Sequence, residues 1–293
     1  MIRTTEASFV AEPSWRGRAF AALRFIAFAI LSVAANFAIL LLLDPLHRFL
    51  TLPEEHILLE MVALVVVVFA LTAIFSRMSN RTIGAYGYRG PHAVRNFAAG
   101  LVGGFVLLAA ELLLMKALGC YAFGYAAPLG LSLAFSAILL AALFLAIGLT
   151  EETLFRGFAL VELSRAMSFW PAAILLCVLF GIPHWLQGGG ENFMGGVEAA
   201  VFGLAIAYSF RLTGSLWFAI GYHAAWDYSE SFIFGTADSG MVSAGRFLHP
   251  VVSGPDWLSG GSVGPEGSIL TVLPALAIVL IAWKLGRDRA APV

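Results

Sequence analysis

The sequence predicts an all-α fold, a polytopic membrane helical bundle with about eight transmembrane helices, and three observations predict it. Hydrophobic residues make up 60% of the 293 residues and charged ones only 12%, against about 25% charged in a soluble domain. Apolar stretches near the ~20 residues that cross a bilayer recur along the whole chain. The positive charges are also unevenly placed between those stretches, as in chains sorted by the positive-inside rule.

The spans are expected at about 25–43, 57–75, 97–115, 134–160, 170–186, 194–210, 214–234 and 268–285. Residues 1–24 carry Arg3, Arg16, Arg18 and Arg24 and read as a cytoplasmic N-terminal segment. The apolar run that follows, Phe25 to Leu43, is longer than the 7–15 residues of a signal peptide and reads as a retained first span. Segment 25–130 holds spans one to three and, at 121–129, an interfacial or re-entrant piece ending at Pro128 and Gly130. Segment 131–235 holds the polar motifs. Segment 236–267 is the one long loop, rich in Gly, Ser and Pro, and reads as a plain outer surface loop, with a lid as the alternative. Segment 268–293 supplies the last span and a cytoplasmic tail. With both termini cytoplasmic, thirteen of the seventeen Lys and Arg side chains fall inside and three outside, with Arg156 within a span. An odd number of spans would spoil that bias, so the chain is expected to be a multi-pass protein of the cell (inner) membrane.

Composition also excludes functions. A net charge of −1 gives no electrostatic case for nucleic acid. The two cysteines, Cys120 and Cys177, form no CxxC, so neither a disulfide framework nor a thiolate metal site is expected. No HExxH, P-loop or GxSxG is present, which removes the signatures of the commonest zinc-protease, nucleotide and serine-hydrolase chemistries.

The informative residues follow thirty positions, Tyr121 to Thr150, without a charged side chain. There Glu151 and Glu152 stand together, with Arg156 four positions on. Each charge at membrane depth costs about 2.5–3.5 kcal/mol on insertion scales. Glu152 and Arg156 are spaced i,i+4, so they share a helix face and can pair. Glu151 lies about 100° round the helix, free to face a water as a general base. His184 closes Phe180-Gly-Ile-Pro-His184 near the end of another span, where alone it reads as an interfacial residue. His223 and Asp227 are again i,i+4, within the span 214–234. The pair can orient an imidazole, ligate a metal or bind substrate. Glu60, Glu111, Lys116 and Glu198 fall near predicted span ends, where snorkelling explains them. Gly100 and Gly104 have the GxxxG spacing of helix packing.

Taken in order, Glu151-Glu152-Thr-Leu-Phe-Arg156, Phe180-Gly-Ile-Pro-His184 and His223-Ala-Ala-Trp-Asp227 resemble the three motifs of the CPBP family of intramembrane proteases. That family includes the CAAX prenyl endopeptidases and the bacterial "Abi" proteins. The resemblance covers about residues 131–235. It implies an intramembrane endopeptidase in which Glu151 and His184 activate a water against a peptide carbonyl. His223 and Asp227 would complete the site, and Glu152 and Arg156 would support it. The motifs leave open whether zinc, held by Glu151, His184 and His223, takes part; no organic cofactor is implied. An asparagine in the last motif position could donate to an oxyanion, which an ionised aspartate cannot. Asp227 is therefore expected to orient His223 or touch a metal. The implied partners are the lipid bilayer and a membrane-associated peptide or protein substrate, with no nucleic acid. The competing readings are a non-catalytic scaffold or bacteriocin-immunity protein that binds a membrane partner, and a transporter. The absence of an inverted repeat counts against the transporter.

Overall fold

The computed structural model describes residues 9, 11–12, 14–89, 92–188 and 190–287. Most of the expected N-terminal segment's first residues, 1–8, and the tail residues 288–293 lie outside these.

Long apolar runs without interior proline wind into α1 (Trp15–Leu43), α2 (Pro53–Met78) and α3 (Ala93–Ala117). Then come α4 (Leu131–Glu151), α5 (Leu160–Met167), α6 (Phe169–Leu186), α7 (Phe193–Thr213), α8 (Trp217–Tyr228) and, after a long connection, α10 (Val272–Arg287). Between α4 and α5 the chain stays helical but widens into a π-helix, Glu152–Ala159, broken at Gly157 (φ −74°, ψ −112°). Among the described residues seven helical units are long and apolar enough to cross a membrane, with Leu131–Met167 counting as one. Their outer faces carry exposed large apolar side chains, such as Ile30, Phe37 and Leu41 on α1, Ile138 on α4 and Leu280 on α10. A multi-pass membrane protein presents such faces to lipid.

The expected seventh span, 214–234, takes another form. It is the twelve-residue α8 continued by a π-helical turn, Ser229–Phe234. Phe218, Ile220, Tyr222 and Trp226 are all buried, so α8 is a core helix rather than a lipid-facing one. Its apolar run was long enough to pass for a span because every side of it faces protein. It packs chiefly against α3 and α4. The GxxxG pair makes the first contact close. A Cβ added at Gly100 would lie 2.3 Å from the Phe218 carbonyl oxygen, and one at Gly104 would lie 2.5 Å from that of Tyr222. Small residues let helix backbones meet in this way.

Two segments outside the helices take forms that hydropathy does not foretell. Residues 121–126, within the expected interfacial or re-entrant piece, form strand β1 (Tyr121–Ala126), paired antiparallel with β2 (Leu248–Val252) from the long loop. The loop itself is not plain. Besides β2 it contains a short helix, α9 (Asp256–Ser259), and it folds back so that Asp238, Ser239, Met241 and Glu266 wall a cavity. Nothing local in a Gly- and Ser-rich segment announces a strand partner more than a hundred residues away. Both cysteines are free and buried.

Candidate active site

The α4–α5 element places the glutamate motif where the helix changes pitch. Widened π turns of this kind recur at functional sites. Here the adjacent carboxylates have different surroundings. Glu152 is fully buried and accepts hydrogen bonds from Arg156 Nη1 (3.2 Å) and His223 Nδ1 (2.9 Å). Glu151 keeps about a quarter of its side chain exposed, with Oε2 3.7 Å from His223 Nε2. His223 therefore joins both glutamates, one through each ring nitrogen. Its Nε2 also lies 3.4 Å from Asp227 Oδ2, one turn along α8.

Arg156 is buried and is held from two sides. Its guanidinium carbon lies 4.3 Å from the ring centroid of Phe180 on α6. On α7, Gly203 leaves the room it needs: a Cβ there would stand 2.4 Å from Nη2. Phe180 thus links the first two motifs, because its carbonyl oxygen accepts the His184 Nδ1–H at 2.8 Å and its ring centroid lies 4.5 Å from the imidazole. A carbonyl can only accept, so this bond fixes the neutral tautomer, with the proton on Nδ1 and the lone pair on Nε2.

Glu151, His184, His223 and Asp227 all line one cavity of about 500 Å³, together with Phe144, Phe202 and Trp226. Glu152 and Arg156 do not line it; they sit behind His223. A partly exposed carboxylate and two imidazoles thus face a shared volume walled by both apolar and acidic side chains. Peptide hydrolysis asks for such an arrangement: a base for water, a donor for the oxyanion and an acid for the leaving amine.

Zinc fits this arrangement less well. Among the described residues, the one trio of candidate metal-ligand atoms lying within 4.8 Å of one another is Asp227, Asp238 and Glu266. Glu151, His184 and His223 are not gathered to that degree.

The structure gathers further acids that the sequence did not assign to the site. Glu198 on α7 lines the cavity rather than snorkelling. Glu111 on α3 is buried and accepts from Thr271 Oγ1 at 3.0 Å. Asp238 and Glu266 come from the long loop. Glu230, fully buried in the turn after α8, has neither carboxylate oxygen hydrogen-bonded. The available signal was the acidic content of 227–238 and 266 beside a motif helix.

Residues 131–229 match the family model described as Type II CAAX prenyl endopeptidase Rce1-like. The resemblance read from the three motifs therefore holds over the segment that builds the cavity's chemical face. No curated protein and no solved structure matches the chain significantly.

Proposed function

We propose that the protein is an intramembrane endopeptidase of the CAAX prenyl protease type, hydrolysing a peptide bond of a membrane-associated peptide or protein. One observation carries this reading: Glu151, His184 and His223, from three helices, open on one cavity, while Glu152 and Arg156 brace His223 from behind. The match of residues 131–229 supports the reaction class.

In this reading Glu151 takes a proton from a water positioned by His184 Nε2. The water oxygen bonds to the substrate carbonyl carbon, and the carbonyl oxygen becomes an oxyanion. His223 acts as the imidazolium, protonated on both nitrogens: it gives Nδ1–H to Glu152 and turns Nε2–H toward that oxyanion. The C–N bond then breaks as the proton on Glu151 passes to the leaving amine. Asp227 orients the imidazole from one turn away. In the proposed membrane topology both termini are cytoplasmic, in the cell membrane.

The test uses the full chain in proteoliposomes with two fluorogenic probes, a prenylated CAAX peptide and an unprenylated amphipathic peptide. Cleavage of either that is lost in Glu151→Gln and in His184→Ala supports the reading. Cleavage unchanged in both variants, or absent from the wild type while its cellular phenotype survives both substitutions, overturns it. Crosslinking to Glu151→Gln would then identify the native substrate.

A further inference from the structure

Around the cavity the acids outnumber the bases. Its walls carry Glu54, Glu151, Glu198, Asp227, Asp238 and Glu266 but no Lys or Arg, with His184 and His223 as the basic groups. Three of these acids converge. Asp227, Asp238 and Glu266 each offer an oxygen within 4.8 Å of the others. Two of them are held in place: Ser231 Oγ donates to Asp238 Oδ2 at 2.9 Å, and Ser239 Oγ donates to Glu266 Oε2 at 3.1 Å. Each of these bonds engages one oxygen of its carboxylate.

Glu230 is a separate observation and points to the same place. It is fully buried, with both oxygens unpartnered. Its Oε1 lies 3.1 Å from where a Cβ would stand on Gly264, two residues before Glu266. The strongest charge interactions of its carboxylate are with Glu266, Asp238 and Asp227, all of them repulsive. A buried unpaired carboxylate beside three others is costly unless it takes up a proton or a cation compensates it, and a bound cation is what would let the group stay ionised.

We propose that Asp227, Asp238 and Glu266, backed by Glu230, form a binding site for a divalent cation of the calcium class. The donor set is all carboxylate oxygen, which selects hard ions over zinc. The number of carboxylates favours the larger ion, because Ca²⁺ takes about six to eight oxygen ligands in flexible geometry, whereas Mg²⁺ keeps several waters and is held by one or two carboxylates. The ion would tie the loop that bears Asp238 and Glu266 to α8, which bears His223. The site stands on carboxylate geometry, independent of the peptidase reading, and its test measures ion binding rather than hydrolysis.

The full chain in detergent is titrated with calcium chloride after chelation. Calorimetry, Tm and limited proteolysis within 235–267 are followed, with magnesium as the comparison. The expected result is saturable calcium binding with a Kd of about 10⁻³ M or tighter, a raised Tm and a protected loop. Asp238→Asn with Glu266→Gln should weaken binding at least about tenfold, the equivalent of about 1.4 kcal/mol. If the double variant fails to fold, Glu230→Gln alone serves: its Tm under chelation should equal or exceed that of the wild type, and calcium should raise it less. Three results overturn the proposal. These are no calcium binding in the wild type, binding unchanged in the variants, and stabilisation by a lysine-rich peptide without any by calcium, which would assign the acids to a cationic substrate.

Discussion

Two buried acidic regions sit at opposite extremes of charge compensation. Near α5, fully buried Glu162 receives Arg24 Nη2 at 2.7 Å, Arg165 Nη1 at 2.7 Å and the Tyr86 hydroxyl at 3.2 Å, and Arg165 also pairs with Glu12. Burial, and then the Glu162 charge, push the Tyr86 hydroxyl up to about 12, so it remains a proton donor at neutral pH. Around the cavity, by contrast, Glu230 has no hydrogen-bond partner among the described residues, and Asp238 and Glu266 accept from the serine hydroxyls of Ser231 and Ser239. Glu152 is the bridge between the two kinds: an acid behind the cavity wall whose Oε1 is paired by both Arg156 and His223. The difference teaches that the first region spends its acids on holding helices together. The second keeps its acids unmatched, available to water, substrate or an ion.

The comparison can be broken by removing one charge at a time. The largest effect is expected for Glu151→Gln, which should lower kcat by about 10²–10⁴-fold, the usual worth of a general base. Its Tm should stay near that of the wild type; a collapse in Tm would put Glu151 with the structural acids. Glu162→Gln should do the reverse. Breaking a buried pair from one side costs about 3–5 kcal/mol, read as a fall in denaturant midpoint, with activity per folded molecule preserved. Arg156→Lys probes the bridge. It keeps a charge but gives up the planar guanidinium stacked on Phe180. We expect a loss of about 1–2 kcal/mol, in the range of a desolvated cation–π contact, together with a lower kcat, because Glu152 then holds His223 less firmly. Glu230→Gln should be the mildest. Under chelation its stability should stay within about 1 kcal/mol of the wild type or exceed it, since replacing an unpaired buried acid by a neutral isostere removes repulsion without breaking a bond. A loss as large as that of Glu162→Gln would erase the distinction between the regions.

Much of this site was legible from spacing. Glu152–Arg156 and His223–Asp227 are i,i+4 pairs, and helical geometry brings such pairs together whatever surrounds them. That Glu151 and Glu152 point differently follows from the ~100° step per residue. The pairing of His223 with Glu152 was not legible, because it joins two helices 71 positions apart. Glu111 and Glu198 were misread for a related reason: hydropathy places a residue along a span but does not say which side of the helix faces lipid. The length test failed at α8, since a wholly buried helix and a lipid-facing one are equally apolar. The β1–β2 pairing and the folded-back loop were also invisible, being contacts between segments distant in sequence.

By itself the sequence determined a helical membrane bundle and the three local motifs, because both rest on short-range rules: apolar length against bilayer thickness, and helical periodicity. The tertiary structure decided which acids are neutralised and which remain bare. That choice depends on which helices and loops meet. Only their meeting sets Arg24 and Arg165 against Glu162 and leaves Asp227, Asp238 and Glu266 facing one another.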